Sequence, residues 1–215
     1  LTPRTWSTLA PLALLLAAAC SHSTYSASSA TSPMPGAARS GAPSPDPRVG
    51  LKAGATDAGE AFWNMRLVSN TPSQGTFAGS TNSDLSFTGK YVIQGNYNGY
   101  QVWDVSDPMH PALRTGYFCP ASQSDVSVYR NLLFVSGEGL GGRVDCGAEG
   151  IKDTVSTERL RGIRIFDITD IANPKYLTNV QTCRGSHTHT VVTDPNDKAN
   201  VYIYVSGSAP VRSPS

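Results

Sequence analysis

The stretch Gly99-Tyr-Gln-Val-Trp-Asp-Val-Ser-Asp-Pro-Met-His-Pro111 returns without a gap as Gly162-Ile-Arg-Ile-Phe-Asp-Ile-Thr-Asp-Ile-Ala-Asn-Pro174. Each copy reads as a short alternating strand that ends on Asp and runs into a Pro-marked turn. An internal repeat constrains a fold more than any composition does, because each copy must form the same supersecondary unit and bury its apolar face against the next.

A second repeated pattern precedes the first. Ser83-Asp-Leu-Ser-Phe-Thr-Gly-Lys-Tyr-Val-Ile-Gln-Gly95 matches Ser124-Asp-Val-Ser-Val-Tyr-Arg-Asn-Leu-Leu-Phe-Val-Ser-Gly137. A looser copy runs from His187-Thr-His-Thr-Val-Val to Val201-Tyr-Ile-Tyr-Val-Ser-Gly207. The Thr88–Lys90 and Tyr129–Asn131 connections have hairpin length. One unit is therefore strand, hairpin, strand, short loop, strand, Pro turn, strand. Four antiparallel strands in roughly 40 residues are the content and period of a β-propeller blade. The expected fold class is all-β, a β-propeller of four-stranded antiparallel blades, incomplete in this chain. Blades fall at roughly 83–119 and 124–182, with a third from 187 to 215 broken off after two strands.

The repeat, with the strand before it, resembles the LVIVD repeat of secreted bacterial and archaeal β-propellers. Val102-Trp-Asp-Val105 and Ile165-Phe-Asp-Ile168 match the core of that repeat, and Ser106-Asp-Pro-Met-His-Pro111 matches its turn. The second copy carries Ile171 where that family has Pro. The resemblance spans roughly 83–207 and implies a secreted propeller. It implies little about chemistry.

Arg4 and the apolar run Leu9–Ala19 have the form of a signal peptide over residues 1–20. The run is too short for a bilayer span, which takes about 20 residues. Leu16-Ala-Ala-Ala-Cys20 resembles the lipobox of bacterial lipoproteins, with Ala17 where Leu is usual. Lipidation at Cys20 is the expectation, and plain cleavage after Ala19 the other reading. Residues 21–50 are rich in Ser, Ala and Pro, with almost no large apolar side chains. Such a segment cannot offset its ordering entropy, so it is expected to act as a disordered tether. The folded body is expected over 51–215. The protein is therefore placed outside the cytoplasm, in a bacterial cell envelope, lipid-anchored or secreted, with the membrane as one partner.

The net charge of +1 and 15% charged residues argue against nucleic-acid binding, which needs a clustered basic surface. None of the four cysteines forms a Cys-x-x-Cys pair, so a zinc ribbon or thioredoxin-type site is not expected. In an oxidising compartment Cys119 and Cys146 are expected to form a disulfide, two separate buried thiols being the alternative. It would pin the insertion Glu138–Arg161, which has no counterpart in the first unit. Within that insertion, Asp153–Arg161 is compatible with one or two helical turns capped by Asp153 or Thr154. Cys183 is left over, and the third unit breaks off before Ser215. Together these read as a fragment, with the partner of Cys183 beyond Ser215. Alternation of Trp63, Met65 and Leu67 predicts a strand over 61–69, a helix opening at Asp57 with Glu60 being the other reading.

Asp104 and Asp167 end equivalent strands, and Asp107 and Asp170 follow in the turns. Backbone capping explains their recurrence, with calcium ligation the sharper alternative. Trp103 and Phe166 hold one repeat position and are expected to pack between blades. Tyr97, in a short Asn-Tyr-Asn loop, is a candidate contact for a protein or carbohydrate ligand. His187 and His189, two residues apart on a strand, point the same way. With Asp84 and Asp125 they would ring a propeller channel as ligands of a divalent metal. The opposing reading is ordinary inter-blade hydrogen bonding. No nucleophile motif is present, and Gly137-Glu-Gly-Leu-Gly-Gly142 lacks the Lys and the strand-to-helix context of a phosphate loop. The chain thus reads as a binding or scaffolding module with no cofactor and not an enzyme. The alternative is a metal-dependent extracytoplasmic enzyme.

Overall fold

The computed structural model describes residue 41 and residues 43–55 and 57–211. The signal segment 1–20 with Cys20, and most of the tether, lie outside the described residues. The chain divides into two compact units, 1–63 and 64–215. The described part of the first has no strand or helix. It carries an Asp46–Arg48 ion pair at 2.6 Å and a loop closed by the Gly59 amide donating to Lys52 O at 2.8 Å.

The second unit is all-β apart from one 3-10 turn at Gly75–Phe77, and its described residues contain no α-helix. Strands β1 (Asn82–Thr88), β2 (Tyr91–Asn96), β3 (Gly99–Asp104) and β4 (Ala112–Phe118) form one antiparallel sheet in sequential order. Strands β5 (Val126–Tyr129), β6 (Leu132–Gly137), β7 (Gly162–Asp167) and β8 (Lys175–Gln181) form a second with the same topology. Strands β9 (Thr188–Asp194) and β10 (Asp197–Ser206) make a two-stranded ladder. No described helix is long and apolar enough to cross a membrane.

The two complete sheets are superimposable in register. Asn96 faces Gly99 as Gly137 faces Gly162, and a bulge falls at Val102/Trp103 as it does at Ile165/Phe166. Gly99 and Gly162 open β3 and β7 at φ +132° and +155°, and a Cβ on either would strike the carbonyl oxygen of Tyr117 or Val180. That contact explains why the repeat begins on Gly. Its Asp and Pro residues are turn chemistry. Asp104 Oδ1 accepts the Ser106 amide at 2.9 Å and hydroxyl at 2.6 Å, and Asp167 Oδ1 accepts the same groups of Thr169 at 2.8 and 2.6 Å. Asp107 and Asp170 likewise accept the backbone amides of Met109 and Ala172. The second Asp104 oxygen is held by Lys90 at 2.7 Å, so its carboxylate is engaged on both sides.

The core lies between the two sheets. The first supplies Ile93, Tyr100 and Val102, and the second Val126, Leu133, Val135, Phe166 and Ile168. Phe166 meets Tyr100 and Tyr117 edge-on, with centroids 5.3 and 4.9 Å apart. Sheet register makes Leu133, Val135 and Phe166 the counterparts of Val92, Gln94 and Trp103, which lie on the opposite face of the first sheet. The two sheets therefore stack front to back, in the same sense, and not face to face as mirrored layers would. Phe166 packs between sheets as expected. Trp103 is buried on the matching face of the first sheet, which residues 73–77 help to cover: Gln101 on that face donates to Ser73 Oγ at 2.9 Å, and Phe77 presses on Gly116.

Two expected elements are absent. Residues 61–69 form no strand: Asn64 turns the chain at φ 54°, and Met65, Leu67 and Val68 are exposed. Alternation alone does not make a strand, because a strand is stabilised by packing against cross-strand neighbours and these residues join no ladder. Residues 153–161 form no helical turn. The Arg159 guanidinium takes the carbonyls of Leu140 (2.8 Å), Thr154 (2.7 Å) and Asp153, the last two being acceptors that a helix would have used.

Candidate functional site

The Cys119–Cys146 disulfide is formed and pins the insertion to the end of β4, while Cys183 is a free, exposed thiol. Inside the insertion, Arg143 is nearly buried and pairs with Asp145 (2.7 Å), Glu158 (3.0 Å) and Glu149 (3.1 Å). Arg164, the β7 counterpart of Gln101, is fully buried and caps the Cys119 and Arg143 carbonyls at 3.0 and 2.8 Å. Burial lowers its pKa to about 10. One buried cation thus ties both ends of the disulfide region to the second sheet.

The first strands of successive units are linked by one repeated device. Asp84 Oδ2 accepts the Val126 amide at 3.4 Å, and Asp125 Oδ2 accepts the His189 amide at 3.0 Å. This settles the register of the third unit, in which Thr188 stands at the Asp position, His189 at the Val126 position and His187 at the Ser124 position.

Beyond that link the second seam is polar. His189 is buried, and its Nδ1 lies 2.8 Å from Ser136 Oγ, which also meets Ser186 Oγ at 2.8 Å. The Asp125 carboxylate stands 3.7 Å from the same Nδ1, and His189 Nε2 is buried without a hydrogen-bond partner. Burial depresses the His189 pKa to about 4. Desolvation raises Asp125 to about 6, against the His189 amide that lowers it, with Asp84 adding to the rise.

His187 goes elsewhere. Its Nδ1 lies 2.6 Å from Oε1 of Glu138, a carboxylate with side-chain exposure of only 8% against 42% for the imidazole. Ser208 donates to Glu138 through its amide (3.1 Å) and its hydroxyl (2.9 Å). Gly185, at φ +75°, lies so close to Glu138 that a Cβ there would meet the Glu138 backbone and Cβ at about 2.6 and 2.5 Å. Burial raises the Glu138 pKa, but the His187 and Ser208 hydrogen bonds outweigh it, so the carboxyl sits below the ordinary glutamate value.

The four residues expected as a metal set take separate hydrogen-bond partners, although the Asp84 and Asp125 carboxyls lie within reach of each other. His187 pairs with Glu138, His189 with Ser136 and Asp125, and Asp84 with the Val126 amide. Among the described residues no group of three or more His, Cys, Asp or Glu side chains is placed to hold a metal ion. Glu138, Ser136 and Ser208 were not singled out by the sequence, although Ser136-x-Glu138 has the spacing of His187-x-His189 and faces it.

The chain segments that carry this cluster also wall, through Leu140, Thr182–Cys183 and Pro210, a cleft of about 840 Å³ completed by Ile151–Thr157, Arg159 and Arg161. Tyr97 sits partly exposed in the two-residue turn between β2 and β3. No family model, no curated protein and no solved structure matches this chain.

Proposed function

We propose that residues 82–206 are consecutive blades of a β-propeller, and that the protein is an exported binding or scaffolding module held at a bacterial envelope through Cys20. Front-to-back stacking carries the reading. Equivalent strands meet through opposite faces, and each unit passes the same Asp-to-amide link to the next, Asp84 to Val126 and Asp125 to His189. That relation generates a ring of blades around an axis along the first strands. The Cys119–Cys146 disulfide is compatible with the oxidising compartment that export implies. Tyr97, at a turn tip, supplies an aromatic contact for a protein or carbohydrate ligand. The resemblance to LVIVD repeats supports the same location and architecture.

The test is an experimental structure of the protein, in which the sheets are expected to stack front to back as blades around one axis. An open two-layer sandwich would overturn the reading. The anchor is tested separately by Cys20→Ser, which should move the protein from the membrane to the soluble fraction, while unchanged fractionation would exclude lipidation.

A further inference from the structure

The two seams are built on one backbone plan, yet among the described residues only the second adds a paired carboxylate and imidazole to the linking Asp. Register places Tyr97 and Ser124 in the first seam where the second has Glu138 and His187. The scaffold needs neither a carboxylate nor an imidazole there, since the first seam forms without them.

The geometry of the pair is specific. Glu138 is ionised and accepts only, so the proton of a neutral His187 imidazole lies on Nδ1, toward Oε1 at 2.6 Å. The lone pair is then on Nε2, which has no hydrogen bond to any described residue. Ser208 fixes the carboxylate from behind, and Gly185 lets it approach. Arg184, nearby in the chain, spends one guanidinium nitrogen on the Ala209 carbonyl, and Asp125 is the remaining carboxylate within electrostatic reach of His187. The segments that carry the trio also wall the cleft, with Leu140, Cys183 and Pro210 a few residues along from Glu138, His187 and Ser208. Lys152, Arg159 and Arg161 line that cleft against the single carboxylate Asp153.

We propose that Glu138 and His187 form a general-base dyad that hydrolyses anionic carboxylic esters bound in the adjacent cleft. A water oxygen bonds to the ester carbonyl carbon and its proton passes to His187 Nε2. The carbon–oxygen bond to the leaving group then breaks, and the imidazolium returns the proton to the departing alkoxide. Glu138 holds the ring in the required tautomer and stabilises the imidazolium. This activity stands apart from the binding-module reading, and either can fail alone.

The test uses the whole protein with p-nitrophenyl acetate and p-nitrophenyl hemisuccinate as probes, with far-UV circular dichroism confirming each variant's fold. Wild type should release nitrophenolate faster than buffer, with a lower KM for the charged ester. His187→Gln should remove about a hundredfold of that acceleration. His187→Asn is the second variant should the first not fold. Glu138→Gln should lower kcat and leave KM unchanged, because the ring is then no longer held in its tautomer by a carboxylate. His110, paired with Asp107 at 2.8 Å on an open turn, is the internal control, and His110→Gln should leave the rate unchanged. A wild-type rate equal to buffer, a His187→Gln rate equal to wild type, loss of activity in His110→Gln, or loss on treatment with a chelator would each overturn the proposal.

Discussion

The seam between the first and second sheets and the seam between the second sheet and β9–β10 share a backbone plan and differ in filling. The first is closed by aromatic rings, with Tyr100, Tyr117 and Phe166 in mutual contact, Tyr176 against Phe166, and Ile93, Val102, Val126 and Val135 around them. The second places His189, Ser136 and Ser186 at buried positions and holds Glu138 and His187 at its rim. Apolar burial is non-directional and strong, whereas buried polar groups stabilise only when each finds its partner. The first seam is therefore the anchor of the fold, and the second is where chemistry can be placed.

The sharpest way to break this contrast is Phe166→Ala. It removes the ring at the centre of the apolar seam and should cost about 3–5 kcal/mol in urea unfolding. A loss no larger than that of a seam-two substitution such as Ser186→Ala would erase the distinction. Opening the disulfide with Cys119→Ser and Cys146→Ser should cost about 3 kcal/mol. It should also expose the 138–161 insertion to limited proteolysis while the four-stranded sheets persist by circular dichroism.

Acid titration sharpens the comparison through protons. The folded Asp125 pKa is raised to about 6, so its contribution is present in acid and is lost as pH rises through 6. The folded His189 pKa is depressed to about 4, so the unfolded chain binds the extra proton below its usual 6.5, and folding is penalised as pH falls from there toward 4. Between about pH 4 and 6 the two effects oppose each other, and the folded protein keeps on Asp125 the proton that the unfolded chain carries on histidine. These two contributions should largely cancel across that window, so wild type should lose less stability there than a chain without Asp125. Asp125→Asn removes the compensating group, and its urea midpoint should fall steadily as the pH is lowered from 6.5 to 4. A parallel fall in wild type would show that the two groups do not compensate. The smallest effect is expected from Asp84→Ala, about 1 kcal/mol or less, because its bond to the Val126 amide is long at 3.4 Å.

Much of the fold was legible because repetition exposes it. The Gly that opens β3 and β7, the Asp that closes them and the two hairpins each left a mark in the residues. The Cys119–Cys146 pair was legible from the position of the insertion. The trio was not, and the cause is a matter of counting. Matching by residue type set Gly137 against Gly95, whereas pairing from the hairpin sets it against Asn96. That one-residue difference hides the fact that Ser136 and Glu138 face His189 and His187. It also concealed the separate destinations of the two histidines, which share spacing but take different partners. The missing strand at 61–69 and the missing helical turns at 153–161 share another cause. Local pattern decided neither: residues 61–69 join no ladder although the sheets have open edges, and the Arg159 side chain takes carbonyls that helical turns would have used.

Front-to-back stacking has a further consequence. An interface that joins one surface to a different surface is heterologous, so it never uses itself up: every added sheet presents again the surface that the next one needs. Such a contact is satisfied by a ring that returns to its start or by a chain of molecules that does not. A gene built this way can gain or lose a sheet by duplication without inventing a new interface, and selection then acts on the curvature of each step and on what fills each seam.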